Sequence, residues 1–283
     1  MCLILTAIKP VPAYKLIIAA NRDEFRNRPT APAAWWSDQP DLLAGRDLSA
    51  GGTWMGITRQ GRFAALTNYR EPHCVYPRGP SRGLLVTDFL TGSASPEAYL
   101  TTIAARDRRY NGFNLVVGNI QSGLFYYGNR GCHSGDAGSL PMRLAPGLYG
   151  LSNHRLDTPW PKVLRGKALL ADCLGTSGAA LDTSLLKALS DMTQPADTQL
   201  PDTGVGLAWE RILAPLFINS AHYGTRSCSV VRLDRQAILA STRRFKALFR
   251  NAWRRWQPGK RQPYGLEGPD GWDRVAPRGN LVV

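Results

Sequence analysis

The sequence predicts an α+β fold in which antiparallel sheets carry segregated helices, and three observations predict it. Strand-like and helix-like runs come in blocks, in the order strands, helices, strands, helices, strands, instead of strict βα alternation. Short turns join several neighbouring strand runs, as antiparallel pairing allows. No GxGxxG or GxxxxGKS loop occurs, so the dinucleotide and P-loop folds have no motif behind them.

Taken in order, Cys2 to Ile8 and Tyr14 to Asn21 are β-rich runs around a Lys-Pro-Val-Pro turn, the pattern of a hairpin. The apolar opening reads as a strand and not a secretory signal: no basic residues precede it and no small-residue cleavage site follows. After a Pro-rich loop with Trp35 and Trp36, Gly51 to Thr58 and Arg62 to Asn68 flank Arg59-Gln60-Gly61 as a second hairpin. Ser81 and Arg82 lead into the periodic set Leu84, Leu85, Phe89. Ser95-Pro96-Glu97 then supplies an N-cap with Pro in the first turn, so two helices follow in succession. Strands return at Phe113 to Val117, Leu124 to Tyr127 and Gly147 to Ser152. Thr158-Pro159 opens a helix to about Cys173, Asp182 or Thr183 caps the next, and Ser227 to Leu233 with Ala237 to Thr242 forms a last hairpin.

At 283 residues and 43% hydrophobic content the chain can bury a full core. Its longest apolar runs, such as Leu16 to Ala20, fall far short of the roughly 20 residues that cross a bilayer. The formal charge of +14 favours anionic partners, and half of the excess lies in the last 43 residues, where ten Lys or Arg meet three Asp or Glu. Five cysteines, at 2, 74, 132, 173 and 228, form no CxxC pair, which fits a reducing compartment, the cytoplasm. The four histidines are scattered and adopt no metal-ligand spacing, so neither a metal nor a cofactor is expected.

Cys2 is the most informative residue. Removal of Met1 would leave a thiol and a free α-amine on one residue, a nucleophile with its own base. Such an amine titrates near pKa ~7.7–8.0 and can take the thiol proton at neutral pH. The alternative is a buried strand cysteine. Asn21-Arg22-Asp23-Glu24-Phe25 ends the strand expected to pair with Cys2; Arg22 would favour a thiolate and a carboxylate would orient the amine.

The runs ANRDEF with RPTAPA, GGTWMGIT, GRFAALTNYRE, SRGLLV, YNGFNLVVG, GLSNHRLDTPWPKV and YGTRSCSVV resemble the NRDE family, also called the transport and Golgi organisation protein 2 family, over roughly Met1 to Arg244. The resemblance implies an αββα four-layer sandwich like that of N-terminal nucleophile (Ntn) hydrolases. It also implies kinship to cysteine acylases that cut amide bonds of bile salts, penicillin V and N-acylated lipids. On that basis Cys2 matches the nucleophile, Asn153 the asparagine that helps hold the site, and Arg226 a late arginine. Asn68, ending FAALTN, is read as an oxyanion donor. The acylases place two residues between their arginine and carboxylate, whereas Arg22 and Asp23 are adjacent, which leaves open whether Asp23 or Glu24 faces the amine.

Two functions are carried forward. One is a hydrolase of a non-peptide amide or thioester in a small acylated substrate, with Cys2, Arg22, Asp23, Asn68, Asn153 and Arg226 as its site. The other is a lipid- or haem-handling trafficking protein that keeps the pocket without turnover. Residues 245–283 form a basic extension in which Phe245, Leu248, Phe249, Ala252, Trp253 and Trp256 recur at helical spacing. That helix is expected to pack, with a weak affinity for anionic membrane surfaces; no specific nucleic acid is expected.

Overall fold

The computed structural model describes residues 2–74, 79–119, 121–130, 140–234, 238–244 and 281–282. Two antiparallel sheets stack face to face. The first runs β10 (Gly147–Leu151), β1 (Cys2–Val11), β2 (Tyr14–Phe25), β11 (Tyr223–Asp234), β12 (Ile238–Arg244) and β13 (Leu281–Val282), the last pairing parallel to β12. The second runs β3 (Thr30–Trp35), β4 (Leu42–Asp47), β5 (Met55–Thr58), β6 (Arg62–Asn68), β7 (Phe113–Asn119), β8 (Gly123–Gly128) and β9 (Met142–Arg143).

Side-chain alternation divides the interior into three cores. Leu3, Leu5, Ile17 and Ala19 pack outward against α3 (Pro161–Cys173) and α4 (Gly178–Leu189). Ile4, Ile18 and Ala20, one residue out of phase, meet Phe63, Ala65 and Val116 of the second sheet. Leu66, Phe113, Leu115 and Tyr127 turn away from that middle core to receive α1 (Gly83–Thr91) and α2 (Pro96–Ala104). Helix, sheet, sheet, helix is thus the layer order, and it explains why the first strand reads as an unbroken apolar run: both of its faces are buried.

Several boundaries differ from expectation. Residues 30–47, read as a Pro-rich loop, hold β3 and β4. Pro32 is tolerated because β3 is an edge strand whose pairing shifts register between Ala31 and Ala34. Within the Gly51 to Thr58 run only Met55–Thr58 is strand. The first of the later helices starts at Pro161, not after Pro159, and the next starts at Gly178, so Asp182 lies inside it and instead binds Arg232 of β11 at 2.7 Å. A further short helix, α5 (Leu207–Leu213), was not foreseen. Ser95 does cap α2, its Oγ accepting the Ala98 N–H at 3.2 Å. The amphipathic segment from Phe245 to Trp256 lies outside the described residues. Among the described residues no helix is long and apolar enough to cross a membrane.

Candidate active site

Cys2 opens β1 opposite Arg22 on β2, so the two side chains share a face. That face looks toward the second sheet, because Ile4 and Ala20 follow on it and belong to the middle core. Trp54, just ahead of β5, meets Arg22 there, with the guanidinium 4.3 Å from the indole centroid. Cys2, Arg22 and Trp54, with Ile4, Ala20, Met55 and Leu66 among their neighbours, line a narrow crevice of about 10 Å³.

The next residue points the other way. Asp23 enters the helical layer, where the Thr225 hydroxyl donates to its Oδ1 at 2.7 Å and Lys162 Nζ stands 3.9 Å from its Oδ2. Lys162 also donates to the Leu213 carbonyl at 2.9 Å. Asn21, on the same face, uses its amide to hold the carbonyls of Leu189 and Leu216, each at 2.8 Å, which is a structural role. Glu24 returns to the Arg22 side, lying 3.8 Å from Arg22 and 3.9 Å from Arg28 at a partly exposed position. Alternation therefore separates the two carboxylates: Asp23 is the one sealed inside, where it feels the charge of the chain terminus.

Burial is the largest influence on Cys2, Asp23 and Lys162. It pushes the Cys2 thiol up, opposed by the positive chain terminus, by Arg22 and by the Asp23 backbone N–H, while the Asp23 charge adds to the rise. It also raises the Asp23 carboxyl, against the pull of Lys162, the chain terminus, Thr225 and Arg22. Lys162 is brought down to about 8 by burial, with Asp23 opposing.

The β1–β10 register sets Ile4 opposite Leu151; continued by two residues, it brings Asn153 to the level of Cys2. The Ser152 hydroxyl donates to the Cys2 carbonyl at 3.3 Å. Asn153 is fully buried, and its Nδ2 donates to the Asn68 carbonyl at 2.9 Å, joining the first sheet to the end of β6 in the second. The Asn68 side chain itself is half-buried. Arg226 sits at a bulge in the β11–β2 ladder and donates to the carbonyls of Phe25 at 2.7 Å and Arg28 at 3.2 Å, so its contacts brace the end of β2.

Cys2, Arg22, Asp23 and Asn153 thus gather at one end of the first sheet, with Asn68 reached through Asn153. Lys162, Thr225, Trp54 and the Arg70–Glu210 pair complete the surroundings, and the sequence reading assigned none of them a role. One signal was available for Lys162: a cation in the first turn of a helix opposes the macrodipole, which flags a position held for another reason. Among the described residues no group of three or more His, Cys, Asp or Glu is placed to hold a metal.

Residues 1–243 match the family model described as Transport and Golgi organisation 2. The mouse Transport and Golgi organization 2 homolog is 36% identical over 262 residues, covering 86% of this chain and 92% of the relative. The Drosophila melanogaster Transport and Golgi organization protein 2 is 30% identical over 261 residues, 83% of this chain and 88% of the relative. Among solved structures, a Caenorhabditis elegans N-acylethanolamine-hydrolyzing acid amidase ortholog aligns with a TM-score of 0.47 at 11% identity, over 81% of this chain and 92% of that one. The conjugated bile acid hydrolase of Clostridium perfringens gives 0.41 at 8%, over 87% and 89%.

Proposed function

The chain belongs to the Transport and Golgi organisation 2 family, and from that premise we propose that it is an Ntn-type cysteine hydrolase-like protein acting on a non-peptide amide or thioester of a small acylated substrate. The observation that carries the reading is the placement of Cys2: it begins β1, turns its thiol into an inter-sheet crevice beside Arg22, and lies near the buried Asp23, whose charge acts on it. With Met1 removed, the α-amine of Cys2 takes the thiol proton and the thiolate attacks the substrate carbonyl carbon. The C–S bond forms, the negative oxygen is met by the Asn68 side-chain amide, and the leaving amine or thiol departs with the proton held on the α-amine. Water then cleaves the acyl-thioester and restores the thiol. Asp23, tied by Thr225 and Lys162, orients the ammonium; Asn153 fixes the end of β6, and Arg226 the end of β2.

A binding role without turnover has one observation in its favour: the thiol is buried and its pKa raised, which keeps it protonated. The mass of the intact purified chain, with Edman sequencing and labelling by a thiol-reactive acyl probe, separates the two. The hydrolase reading expects an N-terminus at Cys2 and acylation confined to it. Met-Cys-Leu as the sole N-terminus ends that mechanism, and a processed chain that refuses the probe supports binding without turnover.

A further inference from the structure

Trp54 stands where the crevice of Cys2 would otherwise widen, and its position is fixed from two sides. Its outer side lies on Gly45 of β4, so closely that a methyl group there would overlap the six-membered ring of the indole. Its other contact is the Arg22 guanidinium, 4.3 Å from the ring centroid, a cation–π pair between a buried cation and a half-buried ring. The loop that delivers it is pinned as well: a side chain at Gly52 would collide with the backbone of Gly83 at the start of α1, and the Thr53 N–H donates to the Gly83 carbonyl at 3.3 Å. An indole held this firmly is a wall.

The space it bounds is small and of mixed character. At about 10 Å³ it has room for little more than one water molecule, far below the ~300–1,000 Å³ usual for sites that enclose a drug-sized ligand. Ile4, Ala20, Met55 and Leu66 give it apolar walls, and Asn21 and Ser229 also line it. Arg22 brings one polar feature: the side chain is 5% exposed, and its buried Nη1 has no hydrogen-bond partner among the described residues. A buried donor left unpaired carries a desolvation penalty, which a ligand oxygen that meets it recovers. A water-sized opening beside a thiol, walled by an indole and lined by the Arg22 donor, admits only the smallest acyl groups unless the indole gives way.

We infer that Trp54 is the specificity-determining residue of the Cys2 site, limiting the acyl group to short chains that can set a second oxygen, such as that of a carboxylate, against Arg22. The inference names the substrate class of the hydrolase proposed above and rests on that reading for its biological meaning. Its test does not, because alkylation of Cys2 reports access whether or not the chain hydrolyses anything or loses Met1. The chain and its Trp54→Phe and Trp54→Ala variants are treated with N-methylmaleimide and N-octylmaleimide. Modification of Cys2 is followed by peptide mass spectrometry, with the exposed, free Cys74 as internal reference for reagent reactivity.

In the unaltered chain the methyl reagent should outpace the octyl reagent at Cys2 by at least tenfold after normalisation. Trp54→Ala should cut that preference below threefold while changing the methyl rate by less than threefold, with Trp54→Phe intermediate. Equal rates for both reagents in the unaltered chain would overturn the inference. So would a parallel rise of both rates in the variants, which marks general loosening. Circular dichroism and melting identify a variant that has lost its fold; Trp54→Phe, which keeps an aromatic ring against Gly45, then decides alone, and an unchanged preference in it counts against the wall.

Discussion

Glu210 and Arg70 form an ion pair sealed beside the site, and removing one charge should cost far more than removing both. The Arg70 and Glu210 side chains are 4% and 3% exposed, and Arg70 Nη1 lies 2.5 Å from Glu210 Oε2. Glu210 also accepts from the Thr203 backbone N–H at 3.0 Å and from its hydroxyl, while Arg70 Nε already lacks a partner among the described residues. Glu210→Gln keeps shape and the acceptor for Thr203 but leaves the guanidinium charge buried alone. Breaking a buried pair in this way costs about 3–5 kcal/mol. At roughly 2–4 °C per kcal/mol for a chain of this size class, melting should fall by about 6–20 °C. Arg70→Met with Glu210→Gln removes the stranded charge at the expense of a cation–π contact to Trp160, 4.7 Å from the ring centroid and worth about 0.5–2 kcal/mol. The double variant should therefore be the more stable of the two by about 2 kcal/mol in urea denaturation at pH 7. Equal destabilisation of single and double variants, or a loss below about 1 kcal/mol in the single, would refute the reasoning.

Asp23→Asn removes a charge that raises the Cys2 pKa, so the pH midpoint of iodoacetamide modification at Cys2 should move down; a midpoint that moves up would contradict the electrostatics. For Lys162 the folded value of about 8 lies below the ~10.4 of the unfolded chain, so between these pH values the unfolded state binds more protons. Stability should accordingly rise with pH from about 8 to 10 in the unaltered chain relative to Lys162→Met, and pH–stability curves that run parallel across that window would exclude the buried cation.

The first hairpin, the capped helix at Ser95 and the expectation of antiparallel sheets were legible because each depends on neighbouring residues. Two β-rich apolar runs and a Pro turn suffice for the hairpin, and Ser-Pro-Glu for the cap. What escaped depends on distance along the chain. The start of α4 was misplaced toward Asp182, a residue taken up by Arg232, 50 positions away. Pro32 disguised β3 until its edge position made the residue acceptable. Within the site, Cys2, Arg22 and Asp23 could be grouped because one turn joins their strands. Lys162 reaches Asp23 only after the helical layer has packed, and nothing local in its sequence names that partner.

The bond from Ser152 to the Cys2 carbonyl spans 150 residues of sequence, and that separation is also a time. β1 and β2 are adjacent in the chain and can pair early, but β10 reaches β1 only after the intervening residues have been made. At ~5–20 residues per second that takes roughly 7–30 s. Throughout this interval one edge of the first strand is open and the Met1–Cys2 peptide is within reach of an aminopeptidase on the ribosome. Once β10 docks, the Cys2 carbonyl is tied down and the thiol buried. On the proposed chemistry, the strand that carries the nucleophile is most open to processing during synthesis, before β10 covers its edge.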